Sequence, residues 1–442
     1  MKPVDQKDFS VKRLDRQEFQ AALAKGQGRA RLHALRYGLD DLKDLVLEAC
    51  LHNQVYDQQS ESSRGEWLYE IIKDSPCFPE FRDAILAALE TELDFWDQFQ
   101  LCELTKEIAS SGDDQARQKL REFVYRNAAD PEAEGDWLGI HGLLFLDGVE
   151  GLIQLARIFG QRLLADPEEL VYDSILYHAA YPQYAKILKL SSQSDPLIER
   201  YWKYLKKRKR ASARPSIDRE KARKKYSLTT ILDNARNEIG EYPGRYMSFG
   251  KHATPDELEE LLACLLNEVR NPVRRRLLWV FRRAKLPRID QIILDWANAD
   301  DDQLRSAAIE ALAQISDPGV HALARMKLES AQASGIDWNV LHLFINNFET
   351  GDEILIKSWL DHLQPAREDA HSLGYSLLRM MDQQENPVLS DLLLWVYENI
   401  PCANCRYFSV RWLNKLNLLP DPIRFECQSD SDEDIRAQAQ IK

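Results

Sequence analysis

The sequence predicts an all-α protein, an α-solenoid of stacked antiparallel helix pairs. Three observations carry this expectation. Glycine and proline contribute only 18 residues each to a chain of 442, well below average usage, which disfavours turn-rich β architectures. Segments with apolar residues at helical spacing recur along most of the chain, separated by short polar turns. One stretch also repeats another at a fixed offset, as modular helical arrays do.

From the amino end, amphipathic helices are expected in LDDLKDLVLEACL, SRGEWLYEIIKD, FPEFRDAILAALE, FWDQFQLCELTKEIA, QARQKLREFVYR and GVEGLIQLARIF. A lone helical hairpin cannot cover its own apolar face, so such pairs stack on their neighbours. Next comes DPLIERYWKYLKKRKR, a helix with a modest apolar stripe of Leu197, Tyr201, Tyr204 and Leu205. Pro215 interrupts it, and SARPSIDREKARKKYS has little to bury, so that stretch reads as a mobile basic loop or a solvated helix. After residue 250, Arg270–Pro287 overlays Asp301–Pro318 with a 31-residue offset, matching Val273 with Leu304, Arg274 with Arg305, Phe281 with Leu312 and Pro287 with Pro318. Each copy has apolar residues at helical spacing and ends at proline, and RIDQIILDWANADD between them supplies a further helix and an acidic turn. The unit is a helical hairpin of about thirty residues.

DDQLRSAAIEALAQISDPGVHALARM and NPVRRRLLWVFRRAKLPRIDQIILDWA resemble the HEAT-repeat family in its short bacterial form, over about residues 255–328. The shared pattern is an acidic or Asn turn, an apolar residue and Arg, then a small and aliphatic helix ending near Pro. The resemblance implies a superhelix with an extended concave surface, and interhelical hydrogen bonding for Arg274 and Arg305. A weaker echo places Arg406 and Arg436 30 residues apart, with the last unit incomplete. The expected organisation is an amino-terminal helical array over 1–194, a basic insertion over 195–250 and a HEAT-like array over 251–442.

Hydrophobic residues at 44% and charged residues at 29% exclude wholesale disorder and a membrane-embedded chain. The amino terminus lacks the apolar core of a secretory signal, and the most apolar run, Trp137–Leu146, is half the length of a spanning helix. Seven cysteines give no disulfide framework. A cytoplasmic protein with no membrane span is expected.

The net charge of −13 conceals two basic bands. Between Tyr201 and Tyr226, twelve Lys or Arg face only Asp218 and Glu220; between Pro272 and Arg288 there are seven Lys or Arg and no acid. In the first, Lys206, Lys207, Arg208, Lys209 and Arg210 stand beside the aromatic faces of Tyr201, Trp202 and Tyr204, a combination able to hold phosphates. The same run can equally be a solvated face that pairs with acids of the chain. In the second, a helical wheel puts Arg275, Arg276, Trp279, Arg282 and Arg283 in one sector opposite Val273, Leu277, Val280 and Ala284. There Trp279 could stack and the arginines grip carboxylates or phosphates; alternatively Trp279 packs on the adjacent repeat and the arginines bond its acidic turns.

Catalytic motifs are missing. GEYPGRYMSFGKHAT has Arg245 and His252 where a phosphate-binding loop needs Gly and Ser or Thr, and HExxH, GxSxG and GxGxxG do not occur. Cys402 and Cys405 form CANC with Cys427 farther on, but no second pair completes a zinc set, so they read as separate cysteines in or near helices. No cofactor, metal or catalytic residue is expected. The sequence therefore points first to a non-enzymatic scaffold holding an acidic protein partner on its basic bands. The alternative is a nucleic-acid-binding protein, resembling HEAT-like DNA glycosylases, that grips phosphates with them.

Overall fold

The computed structural model describes the chain except for residues 1–10, 62, 92, 134, 179, 212–225, 238–241, 331–337, 364–366 and 441–442. All regular elements among the described residues are helical, with no strand. The six amino-terminal helices expected from periodicity are present as Lys43–Leu51, Gly65–Ile72, Phe78–Ala88, Phe95–Ser110, Asp114–Ala129 and Ile140–Ala165. Their starts follow cap chemistry. Asp94 and Asp113 accept hydrogen bonds from the backbone N–H groups of Trp96 and Ala116, satisfying donors that a helix cannot pair internally. No described helix is long and apolar enough to cross a membrane.

The chain divides into two compact units, one comprising Met1–Pro215 with Pro420–Gln440 and the other Ser216–Leu419. In the first unit, Phe19, Ile72, Phe81, Leu104, Leu120 and Phe159 are fully buried in one continuous core. Pro420–Gln440 belongs here because Gly28 opens the way: a Cβ on it would stand 2.0 Å from the Glu426 carbonyl oxygen. The contact is fastened by Ser431 N–H donating to the Gly26 carbonyl at 2.8 Å, the Trp67 indole N–H to the Ser429 carbonyl at 2.9 Å, and Arg29 pairing with Glu426 at 2.7 Å.

The basic helix Pro196–Ala211 is also a packed element of this unit. Its side toward helix Ile140–Ala165 buries Ile198, Tyr201 and Leu205, and at Gly160 the two backbones touch, since a Cβ there would lie 2.1 Å from the Leu197 carbonyl oxygen. Tyr201 and Tyr204 donate their hydroxyl protons to the carbonyls of Tyr172 and Val171 at 2.8 and 2.9 Å. The sequence reading of 195–250 as a separate basic insertion differs from this division. Pro196–Ala211 is held by the first core, whereas Leu228–Asn237, with Leu228, Ile231 and Ala235 buried, belongs to the second unit. Of the stretch 212–227, expected as a mobile basic loop or a solvated helix, residues 212–225 lie outside those described.

Two regularities mark the packing. Side-chain hydrogen bonds of Arg82 with Asp113, Asn271 with Asp301, His321 with Asp352 and Trp412 with Asp382, and that of the Asp317 backbone N–H to the Asn347 side chain, join residues 30 or 31 apart. In addition, Arg274, Arg305 and Arg436 each donate to the carbonyl six residues earlier, those of Glu268, Ala299 and Asp430, at 2.7, 2.7 and 2.8 Å. The arginine therefore fastens the turn that leads into its own helix. A guanidinium suits this role because its several donors satisfy carbonyls that the preceding helix end leaves open.

Candidate anion-binding interface

The second basic band does not form a single helical face. The helix starting at Asn271 ends at Leu278, and Trp279–Arg282 continues as a 3₁₀ turn with three residues per turn, so the 100° advance used for the wheel fails there. The break accompanies a close approach: a Cβ on Gly250 would lie 2.1 Å from the Val280 carbonyl oxygen, so helix Gly244–Gly250 presses on the turn. Arg275, Arg276 and Trp279 consequently point inward and are 7, 7 and 8% exposed. Trp279 packs against Tyr246 with ring centroids 5.8 Å apart, and the Arg275 guanidinium lies 5.7 Å from the indole centroid. Arg276 donates to the Ala235 carbonyl at 2.8 Å. Burial lowers the Arg275 pKa, with the neighbouring Arg276 charge adding to the effect and Asp301 opposing it. The expected sector of Arg275, Arg276, Trp279, Arg282 and Arg283 is thus corrected: only Arg283 is exposed, and Arg282 is half-buried.

Arg282 instead opens a charge ladder that the sequence reading missed. Its guanidinium is 3.2 Å from Glu310, and the same carboxylate oxygen is 3.0 Å from His342 Nδ1. The three side chains come from the 3₁₀ turn Trp279–Arg282 and the alternate helices Asp302–Leu312 and Val340–Phe344, 28 and 32 residues apart, close to the 31-residue offset of the sequence, and that spacing was the available signal. Burial tends to raise the Glu310 pKa, but the close approach and charge of His342, followed by those of Arg282, outweigh it and hold the carboxyl at about 2. A carboxylate with a depressed folded pKa contributes stability that is complete above its unfolded value and is lost as pH falls through its folded value. Acid unfolding followed by circular dichroism should therefore remove up to about 3 kcal/mol more from the wild type than from Glu310→Gln between pH 4.5 and about 2. Identical acid profiles would show that the ladder is energetically idle.

The first band retains its exposure. Lys203, Lys206, Lys207, Arg208 and Lys209 are exposed along helix Pro196–Ala211, the first three on the side away from its buried stripe and the last two in line with that stripe beyond Leu205; the side chain of Arg210 lies outside those described. Acids of the same unit temper it: Lys203 pairs with Glu199 at 2.7 Å, Lys207 with Glu168 at 3.7 Å and Arg208 with Asp173 at 2.5 Å. Trp202 is half-buried with Lys206 Nζ 5.6 Å from its ring centroid, and Lys209 lies over Tyr181 at 4.8 Å. Tyr201, expected to offer an aromatic face, is 1% exposed because its ring and hydroxyl are used in the core.

Arg121, Tyr125, Val149, Glu150, Ile153 and Arg157 line a shallow groove of about 590 Å³ in the same unit. Asp147, whose side chain is buried, receives Arg117 and Arg121 at 2.8 and 2.7 Å and thereby neutralises part of the positive charge. No family model matches the chain, and no curated protein matches it.

Proposed function

We propose that the protein is a HEAT-like helical-repeat scaffold, with no catalytic chemistry of its own, that holds an acidic protein segment on the cationic face of helix Pro196–Ala211. The repeat reading is supported by bonded pairs 30 or 31 residues apart in both units and by the recurring arginine-to-carbonyl bond of Arg274, Arg305 and Arg436. Stacked hairpins of constant length make residues one period apart neighbours, and an α-solenoid built from them offers contact area rather than a reactive centre.

The carrying observation is the two-sidedness of helix Pro196–Ala211. Ile198, Tyr201 and Leu205 anchor one side in the core, so the exposed Lys203, Lys206, Lys207 and Lys209 are presented from a fixed backbone. Preorganisation reduces the entropy lost on binding. A protein partner fits better than a polyphosphate because Glu168, Asp173 and Glu199 are interspersed with the cations. Such a mixed surface suits a polypeptide carrying spaced acids and repels a continuous phosphate backbone. The nucleic-acid reading draws on Trp202 with Lys206 beside it, a cation and aromatic pair of the type that receives unpaired bases.

Replacing Lys203, Lys206, Lys207 and Lys209 together by Gln should change stability by about 1 kcal/mol or less, because these are exposed positions. Affinity for a polyglutamate probe should fall by at least about tenfold, each lost charge contact contributing at the scale of an exposed pair. Undiminished binding by the quadruple variant would contradict the assignment. Tighter binding to single-stranded nucleic acid than to polyglutamate, with a steep salt dependence, would move it to the second reading.

A further inference from the structure

We propose that His371, Cys402 and Cys405 form a zinc site in the second unit. The sequence reading left Cys402 and Cys405 as separate thiols, with Cys427 as the only other cysteine nearby in the chain. Folding brings in a histidine from 31 residues upstream of Cys402.

The arrangement follows from local structure. Cys402 is the residue that precedes helix Ala403–Lys415, and Cys405 occupies its first turn, so the C-x-x-C spacing places both sulfurs at one helix end. His371 comes from helix Arg367–Gln384. Gly374, one turn along from it, lets that helix approach closely: a Cβ there would be 2.7 Å from Ile400 Cγ1, two residues before Cys402. Arg406 is fully buried and donates to the Pro401 carbonyl at 3.2 Å, fixing the backbone that enters the motif. Each cysteine is 4% exposed.

One ligand atom from each residue lies within 4.8 Å of the other two, and Cys405 Sγ is 3.7 Å from His371 Nδ1. In a tetrahedral zinc site, bonds of about 2.3 Å to sulfur and about 2.0 Å to nitrogen put ligand atoms roughly 3.5–3.8 Å apart. The sulfur–nitrogen separation already matches, and closing the group around an ion needs shifts of about 1 Å or less. Two thiolates and one neutral imidazole also cancel the charge of a divalent cation, which makes such an ion tolerable in a largely buried place. With three donors among the described residues, the fourth position is left for water or an exogenous ligand.

The test uses the full chain, reduced and stripped of metal, titrated with cobalt(II) and then zinc(II). The wild type should take up one cobalt per chain, with visible tetrahedral d–d bands and near-ultraviolet thiolate-to-cobalt charge transfer, all bleached by zinc. Cys402→Ser, Cys405→Ser and His371→Ala should each weaken binding by at least about tenfold, at or beyond the range seen when ligand-supporting residues are lost. Cys264→Ser, a cysteine of the same unit outside the group, should bind as the wild type does. Because the wild-type spectrum reports thiolate ligation directly, the test stands even if one variant fails to fold. The proposal is overturned if reduced, folded wild type develops no charge-transfer band, or if the band persists in both serine variants. It is equally overturned if the reduced protein ignores metal but readily closes a Cys402–Cys405 disulfide, which would identify a redox pair.

Discussion

Replacing Trp279 with Ala is expected to cost roughly 3–5 kcal/mol of stability, the range for deleting a large aromatic side chain from a core. Trp279 is 8% exposed, packs on Tyr246 and carries the Arg275 guanidinium over its ring. Its removal would open a cavity and strip the buried Arg275 of the aromatic surface that compensates its lost hydration. Denaturant unfolding of the second-unit signal measures the effect. A loss below about 1 kcal/mol, accompanied by weakened anion binding, would instead restore an exposed arginine and tryptophan face.

Gly160→Val should be comparably severe for a different reason. The new Cβ would lie 2.1 Å from the Leu197 carbonyl oxygen, a backbone atom that cannot rotate aside. Helices Ile140–Ala165 and Pro196–Ala211 would have to separate, uncovering Tyr201 and Leu205, at a cost of about 3 kcal/mol or more. Since the lysines of Pro196–Ala211 depend on that seat, the substitution should abolish polyglutamate binding as well as lower the unfolding midpoint. Full stability in Gly160→Val would show that the crossing is looser than the structure has it.

These two positions separate what the sequence could carry from what it could not. Helical periodicity and caps are local, so the helices from Lys43 to Ala165 were legible, whereas Arg274 and Arg305, expected to bond between helices, donate to the turn that leads into their own helix. The wheel through Arg275–Arg283 failed because its geometry assumes an uninterrupted α-helix, while the 3₁₀ turn at Trp279 accompanies contact with Gly250 from another helix. The exposed lysines of Pro196–Ala211 were read correctly as a basic band, but its anchoring relies on Tyr172, Val171 and Gly160, which no local pattern connects to it. His371 was invisible beside CANC for the same reason: Cys402 and Cys405 lie 31 and 34 residues farther along the chain, and no local pattern connects them to it. The docking of Pro420–Gln440 on Gly28 and Trp67 joins the ends of the sequence and had no sequence signal.

Site-specific photocrosslinking from position 206 in the native host most directly tests the cationic face of helix Pro196–Ala211 as a protein-binding surface. Lys206 is exposed on that helix, and replacing it with a photoreactive residue leaves the buried Ile198, Tyr201 and Leu205 anchor untouched. The expected result is a crosslink to an acidic protein segment that disappears when Lys203, Lys207 and Lys209 are replaced by Gln. A crosslink to nucleic acid, or one to protein that survives neutralisation of those lysines in a folded chain, would contradict the account.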